Sequence, residues 1–195
     1  MDSFVFQPTN IEGLRLIAPI FSCDRRGYFS KTFEREIFAE HGVCLHIAEE
    51  LETCSARNTL RGLHFQRRHS QDKLVRVLSG EVYDVAVDLR PESKTFGEWQ
   101  GFSLSAKNRA MLYLPKGCAH GFLVRQDNTT VHYLCGDQYD PESEDGIFWS
   151  DPDLDIDWPL ETGAPPLLSE RDQSFQTFQE FRRSLPQGMG GCKNG

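Results

Sequence analysis

The sequence predicts an all-β fold, either a sandwich or a barrel, and three observations carry this. Short strand-like runs follow one another from Leu14 to Trp149 with turn residues between them. The run 81–89 alternates, with Tyr83, Val85, Val87 and Leu89 on one face and Val82, Asp84, Ala86 and Asp88 on the other. Both faces are partly apolar, as in a wall covered on both sides. Helical signals are confined to two short stretches near the ends.

In chain order, residues 14–20 read as the first strand. A helix follows in which Thr32 serves as cap, Phe33, Ile37 and Phe38 form the apolar face, and Gly42 ends the run. Residues 61–66 lie within strand-like flanks. Runs 73–78 and 81–89 read as two strands joined by a tight hairpin-type turn at Ser79-Gly80. Runs 99–104, 109–114, 121–124 and 129–134 continue the series. Phe175, Phe178 and Phe181 are spaced for one face of a second helix over 174–184. Residues 188–195 are glycine-rich and polar, which predicts a disordered tail after one domain spanning 1–187.

The 195-residue chain carries a net charge of −8, which argues against a nucleic-acid partner. No run approaches the roughly 18 apolar residues of a membrane span. The start, MDSFVFQPTN, lacks the basic and apolar regions of a secretory signal. None of the six cysteines stands in a CxxC pair, and their spacings match no zinc signature. A cytoplasmic protein with reduced, buried thiols is expected.

Chemistry concentrates in three stretches. Arg61-Gly62-Leu63-His64-Phe65-Gln66 sets a histidine beside an arginine. Pro115-Lys116-Gly117-Cys118-Ala119-His120-Gly121-Phe122 supplies a second histidine, and His132-Tyr133-Leu134 supplies a phenol. Singly, each histidine better fits an ordinary core or loop residue. Together they provide a base, cations for an anionic substrate and an acid, the parts needed to move a proton next to a carbonyl. Arg61, Arg67, Arg68, Lys73 and Arg76 cluster in the same region, with Arg67 and Arg68 read as solvated.

Seven blocks in order resemble the dTDP-4-dehydrorhamnose 3,5-epimerases, nucleotide-sugar epimerases of rhamnose synthesis. They are Asp24-Arg25-Arg26-Gly27-Tyr28-Phe29, Leu60-Arg61-Gly62-Leu63-His64-Phe65-Gln66, Lys73-Leu74-Val75-Arg76, the stretch 80–90, the stretch 115–122, Asp157-Trp158-Pro159 and Leu168-Ser169-Glu170-Arg171-Asp172. The resemblance runs from about Gly13 to Asp172. It implies a cupin-type jelly-roll barrel, a homodimer, and an isomerase of deoxysugar and surface-polysaccharide synthesis. The implied substrate is a nucleoside-diphosphate-4-keto-6-deoxyhexose, epimerised at C3, C5 or both.

Loss of a proton at either carbon gives an enolate on the C4 oxygen, a scheme that requires no redox cofactor or metal. The resemblance implies His64 as base, Asp172 as its partner, Tyr133 as acid on the opposite face and Lys73 at the oxyanion. It implies Arg61 on the diphosphate and Tyr139 against the nucleobase. Arg26, Gln66, His120, Glu144 and Glu49 complete the expected substrate-binding set, with Arg26 expected to reach the pocket of the second copy in the homodimer. Asp84 and Asp88 share a strand face, where Asp84 either orients His120 from the interior or belongs to a pair of exposed edge carboxylates.

Two rivals are a metal-dependent cupin and a non-catalytic sugar-binding cupin. The first is disfavoured because Gln66 stands where the first cupin motif offers its second histidine, which leaves His64, Gln66 and His120 as a poor metal set. The second is disfavoured because base, orienter and acid positions are all filled. Three positions depart from the family pattern: Lys31 replaces a glutamate, Glu49 a glutamine and Leu51 an asparagine. An ionised Glu49 only accepts hydrogen bonds, so it suits a base bearing an exocyclic amine. On that reading thymidine is not the preferred carrier, and a cytidine-linked sugar is a serious candidate.

Overall fold

The computed structural model describes residues 3–186, so the expected tail 188–195 lies outside the described residues. In chain order the first strands are β1 (Phe4–Pro8), β2 (Arg15–Pro19), β3 (Phe21–Asp24), β4 (Gly27–Ser30), β5 (Glu49–Ser55), β6 (Leu60–Gln66) and β7 (Lys73–Ser79). They are followed by β8 (Glu81–Asp88), β9 (Trp99–Ser105), β10 (Met111–Leu114), β11 (Cys118–Val124), β12 (Thr129–Cys135) and β13 (Glu144–Gly146). Helix α1 (Arg35–Glu40) precedes β5, and α2 (Glu170–Gln173) and α3 (Phe178–Ser184) follow β13.

Two antiparallel sheets face each other, in the orders β1-β2-β10-β7-β12-β5 and β13-β6-β11-β8-β9, while β3 and β4 form a separate hairpin. The all-β expectation holds. Between the sheets, Val75, Val77 and Val131 from one wall meet Val82, Ala86 and Phe122 from the other. Outside the five-stranded sheet, Val85 and Val87 pack with Trp158, Phe178 and Phe181. Outside the six-stranded sheet, Phe38, Val43 and Leu45 cover Ile17, Leu74 and Met111. Strand β8 is therefore buried on both faces, as its alternation predicts.

The expected hairpin between β7 and β8 does not form. Strand β7 pairs with β10 and β12, whereas β8 pairs with β9 and β11. Gly80 turns the chain from one sheet into the other. Its φ is +79°, and a Cβ there would stand 2.1 Å from Thr129 Oγ1, so only glycine fits this corner. Val77 and Val82 then face one core from opposite walls, which a tight hairpin would forbid.

Both expected helices shift. Thr32 does not cap α1; Glu34 holds that position without a side-chain hydrogen bond, and Gly42 follows the helix end at φ +78°. The second helix begins later than expected, at Phe178. Thr177 and Glu180 form a capping box that starts α3 afresh. The Gln176 carbonyl, just before it, accepts from the Phe148 N–H at 2.8 Å. Phe175 thus leaves the helical face and sets its ring edge-on to His64, with centroids 5.4 Å apart.

Strands β6 and β11 carry the two histidine motifs, and they approach at a pair of glycines. A Cβ on Gly62 would lie 2.5 Å from the Gly121 Cα and 2.6 Å from the His120 carbonyl oxygen, and Gly62 has φ +115°. This contact aligns His64 with His120 across the ladder. Gly62→Ala is expected to lower unfolding stability by about 3 kcal/mol, combining overpacking with backbone strain; urea denaturation measures the loss.

Candidate active site

A cavity of about 220 Å³ opens between the sheets. Three rows of cross-strand partners build its six-stranded wall across β7, β12 and β5. They read Lys73–Cys135–Glu49, Val75–Tyr133–Leu51 and Val77–Val131–Thr53. The opposite wall brings Arg61, His64 and Gln66 on β6, His120 and Phe122 on β11, and Glu144 on β13.

His64 Nε2 lies 2.6 Å from Asp172 Oδ1. Asp172 sits in α2, where the Ser169 hydroxyl donates to Oδ2 at 2.7 Å and the Gly62 N–H to Oδ1 at 3.3 Å. Burial alone would raise this carboxyl's pKa. The hydrogen bonds from His64, Ser169 and Gly62 outweigh that and hold it below the usual carboxylate value. An ionised carboxylate only accepts, so Nε2 carries the proton and Nδ1 is left as the basic nitrogen.

His120 repeats the pattern on the next strand. Its Nε2 lies 3.0 Å from each oxygen of Asp84. Asp84 is fully buried; desolvation raises its pKa and His120 opposes the rise. The edge-carboxylate alternative is thereby overturned for both aspartates. Asp88 is also buried and is held at about pKa 2: burial pushes it up, and bonds from Arg90, Ser93 and Thr95 pull it down further.

Tyr133 and Lys73 face the histidines from the other sheet. Tyr133 is buried, which pushes its phenol pKa upward, while Thr53 and Arg61 act the other way. Its ring stands edge-on to His120 at 6.1 Å. Burial lowers the Lys73 ammonium, and Cys135, Glu144 and Glu49 oppose the fall. Among the described residues no carboxylate comes within ion-pair distance of Lys73. A desolvated cation facing a cavity without a partner is suited to an oxyanion.

The remaining expected residues divide. Arg61 lines the cavity with Nε held by Ser55 Oγ at 3.1 Å. Gln66 spends its amide on the His69 and Gln138 carbonyls and the Asp140 N–H, tying two loops together at the rim. The Tyr139 hydroxyl donates to Glu144, which also pairs with Arg171. Glu49 lines the cavity but accepts the Tyr139 N–H at 2.8 Å. Arg26 does not reach this cavity; it sits at the β3–β4 turn, paired with Asp24 at 2.6 Å. Lys31 pairs with Glu34, also away from it.

Sequence reasoning missed Arg171, Thr53 and Cys135 as site residues. Arg171 lies in a quoted motif beside Asp172, so its place was within reach; Thr53 and Cys135 carry no local signal. Among the described residues no group of three or more His, Cys, Asp or Glu is arranged to hold a metal ion.

Comparison with known proteins bears on this geometry. The family model described as dTDP-4-dehydrorhamnose 3,5-epimerase matches residues 8–180. The dTDP-4-dehydrorhamnose 3,5-epimerase of Methanothermobacter thermautotrophicus is 47% identical over 180 residues, covering 92% of this chain and 97% of the relative. Among solved structures, the Legionella pneumophila dTDP-6-deoxy-D-glucose-3,5-epimerase in complex with dTDP-4-keto-L-rhamnose superposes with a TM-score of 0.85 at 40% identity. That match covers 89% of this chain and 92% of the other. A 3'-monoepimerase from Streptomyces bikiniensis, in complex with dTDP-quinovose, has a TM-score of 0.84 at 34% identity, covering 90% and 89%.

The Asp172 contacts tie α2 to β6, and their loss is measurable in the folding equilibrium. Asp172→Ala is expected to cost about 2 kcal/mol at pH 7, the scale of hydrogen bonds to a buried charged group. Because the folded-state pKa is depressed, this contribution is present above the ordinary carboxylate pKa of about 4 and fades as pH falls through the lower folded value. Urea unfolding of both proteins at neutral and acid pH checks the size and the sign.

Proposed function

The chain belongs to the dTDP-4-dehydrorhamnose 3,5-epimerase family, and from that premise we propose that His64, Asp172, Tyr133 and Lys73 carry the reaction. The fold is the family's cupin-type jelly roll, and the protein is an epimerase of deoxysugar synthesis. One observation supports the role assignment most strongly: the His64–Asp172 pair and the Tyr133–Lys73 pair stand on opposing walls of one cavity. Inversion at carbon requires removal of a proton from one face and delivery on the other.

In this reading His64 Nδ1 removes the proton from C5 or C3 of the 4-keto sugar. Asp172 stabilises the imidazolium, and the Lys73 ammonium stabilises the C4 enolate oxygen. Tyr133 gives its phenolic proton to the opposite face of the same carbon. Asp84 holds His120 as a hydrogen-bonding group against the sugar, and Arg61 meets the diphosphate. Epimerisation at both C3 and C5 is the proposed outcome, following the 47% identical relative, whose name specifies both carbons.

Thymidine is the proposed carrier. Glu49 already accepts from the Tyr139 N–H, with Gln71 Nε2 at 3.5 Å. The carboxylate thus serves its own loop, and the case for a cytosine amine loses its support. The relatives named above are dTDP-sugar epimerases or are complexed with dTDP-sugars.

A homodimer is proposed as the working form. The rings of Phe21 and Tyr28 hold the Arg109 guanidinium, with centroids 4.2 and 3.9 Å from its carbon. That anchors the β3–β4 hairpin and leaves Phe29 73% exposed beside the exposed Arg26. An outward aromatic and arginine suit a second copy's nucleotide site. A cytoplasmic location is proposed from the unpaired state of the five described cysteines, although only Cys118 and Cys135 are buried as expected and Cys23, Cys44 and Cys54 are exposed.

Three outcomes follow. His64→Ala loses nearly all hydrogen exchange at C3 and C5, on the order of 10³-fold or more, while Tyr133→Phe loses net epimerisation more than exchange; ¹H NMR in D₂O separates them. The kcat/KM for dTDP-4-keto-6-deoxyglucose exceeds that for the CDP-linked sugar by at least about tenfold, or roughly 1.4 kcal/mol. Light scattering gives twice the 22.3 kDa chain mass.

A further inference from the structure

Among the described residues, Thr53 has the only side-chain oxygen lining the cavity that is shut off from solvent and has no hydrogen-bond partner. Buried hydroxyls are nearly always partnered in folded proteins, so this one has a hydrogen bond still to make. The β5–β12 ladder places Thr53 opposite Val131 and Leu51 opposite Tyr133. Thr53 and Tyr133 are therefore diagonal neighbours on the inward face, within reach of a long aromatic side chain.

Burial is the main influence on the Tyr133 phenol and disfavours its ionised form; hydrogen bonding by the Thr53 side chain is the largest influence in the other direction, ahead of Arg61, so the Thr53 hydroxyl already lies beside the phenol although their contact falls short of full hydrogen-bond geometry. An acid that gives up its proton inside this wall becomes a buried phenolate, an acceptor in need of a donor. His120 is spent on Asp84, and Lys73 is reserved for the C4 oxygen in the reading above. The Thr53 hydroxyl closes no hydrogen bond of full geometry, and its side chain acts on the Tyr133 phenol.

We propose that Thr53 is a positioning residue for the acid, its O–H donating to the phenolate oxygen left when Tyr133 has given its proton to the enolate carbon. The inference rests on the assignment of Tyr133 as that acid. In the step, the Tyr133 O–H bond breaks and a C–H bond forms at C3 or C5. The enolate electron pair moves into that bond and the C4 carbonyl is restored. The phenolate is then reprotonated from solvent, and the His64 imidazolium returns its proton there. Because threonine is β-branched, its χ1 is restricted and the hydroxyl is held in one direction.

The test compares Thr53→Val, Thr53→Ser and Tyr133→Phe with the natural protein, using dTDP-4-keto-6-deoxyglucose in D₂O. Two rates are read by NMR: deuterium entry at C3 and C5, and net epimerisation. Thr53→Val keeps the shape and removes the donor, so net epimerisation is expected to fall about tenfold while deuterium entry stays near the natural rate. Thr53→Ser restores the donor and is expected to return net epimerisation to within about threefold of the natural protein. If Thr53→Val epimerises normally while Tyr133→Phe does not, the Thr53 role fails and the acid assignment stands. If Tyr133→Phe epimerises normally, both fail. Equal loss of both rates in Thr53→Val, or a Thr53→Ser variant as impaired as Thr53→Val, assigns Thr53 to packing and overturns the proposal.

Discussion

The hydrogen bond between His64 and Asp172 is the contact on which the rest of the site depends. It closes over 108 positions of sequence at 2.6 Å and fastens the short helix α2 to strand β6. Each end of it is prepared separately. The glycine pair Gly62 and Gly121 lets β6 and β11 approach and puts His64 level with His120. Ser169 caps α2 and grips the second carboxylate oxygen. With the carboxylate ionised, the imidazole proton is fixed on one nitrogen and the other is left to act. Without it, a half-buried histidine would have no preferred tautomer.

Around that contact the protein tolerates groups that folding alone disfavours. Lys73 is desolvated without a close counter-ion, Asp84 is fully buried beside a histidine, and the Thr53 hydroxyl has no partner. Burying uncompensated polar groups opposes folding, so the stability must come from elsewhere. The apolar layer between the sheets and the two layers outside them supply it. Strand β8 shows the division within one element. Val85 and Val87 face the outer layer; Asp84 points into the sandwich and bonds His120. The rows Lys73–Cys135–Glu49 and Val75–Tyr133–Leu51 show the same economy, since ladder register alone decides which side chains face the substrate space.

Much of this was legible in the sequence, for physical reasons that differ by residue. Alternation identifies β8 because period two follows directly from strand geometry, and the turn residues between the other runs mark its neighbours. It did not reveal that β7 and β8 belong to different sheets: a Ser-Gly turn reports a change of direction, and which strands pair is settled by the core that Val77 and Val82 share from opposite walls. The phenylalanine spacing starts the last helix too early, because the capping box at Thr177 outweighs the periodicity and frees Phe175 to meet His64; α2, one turn long, carries no such spacing. Edge strands such as β5 went unread, since their polar residues lack a hydrophobic signature, and Thr53 went unread with them. The Asp172 partnership came from resemblance alone; no spacing in a linear chain announces a contact between such distant positions.

The most direct measurement of the central claim is hydrogen exchange by the natural protein, treated with EDTA, on dTDP-4-keto-6-deoxyglucose in D₂O without added nicotinamide. The account predicts deuterium at C3 and C5 of the sugar together with inversion at those carbons, at a rate unaffected by added divalent metal. Failure of deuterium to enter either carbon, or entry that begins only when iron, manganese or zinc is supplied, would contradict it.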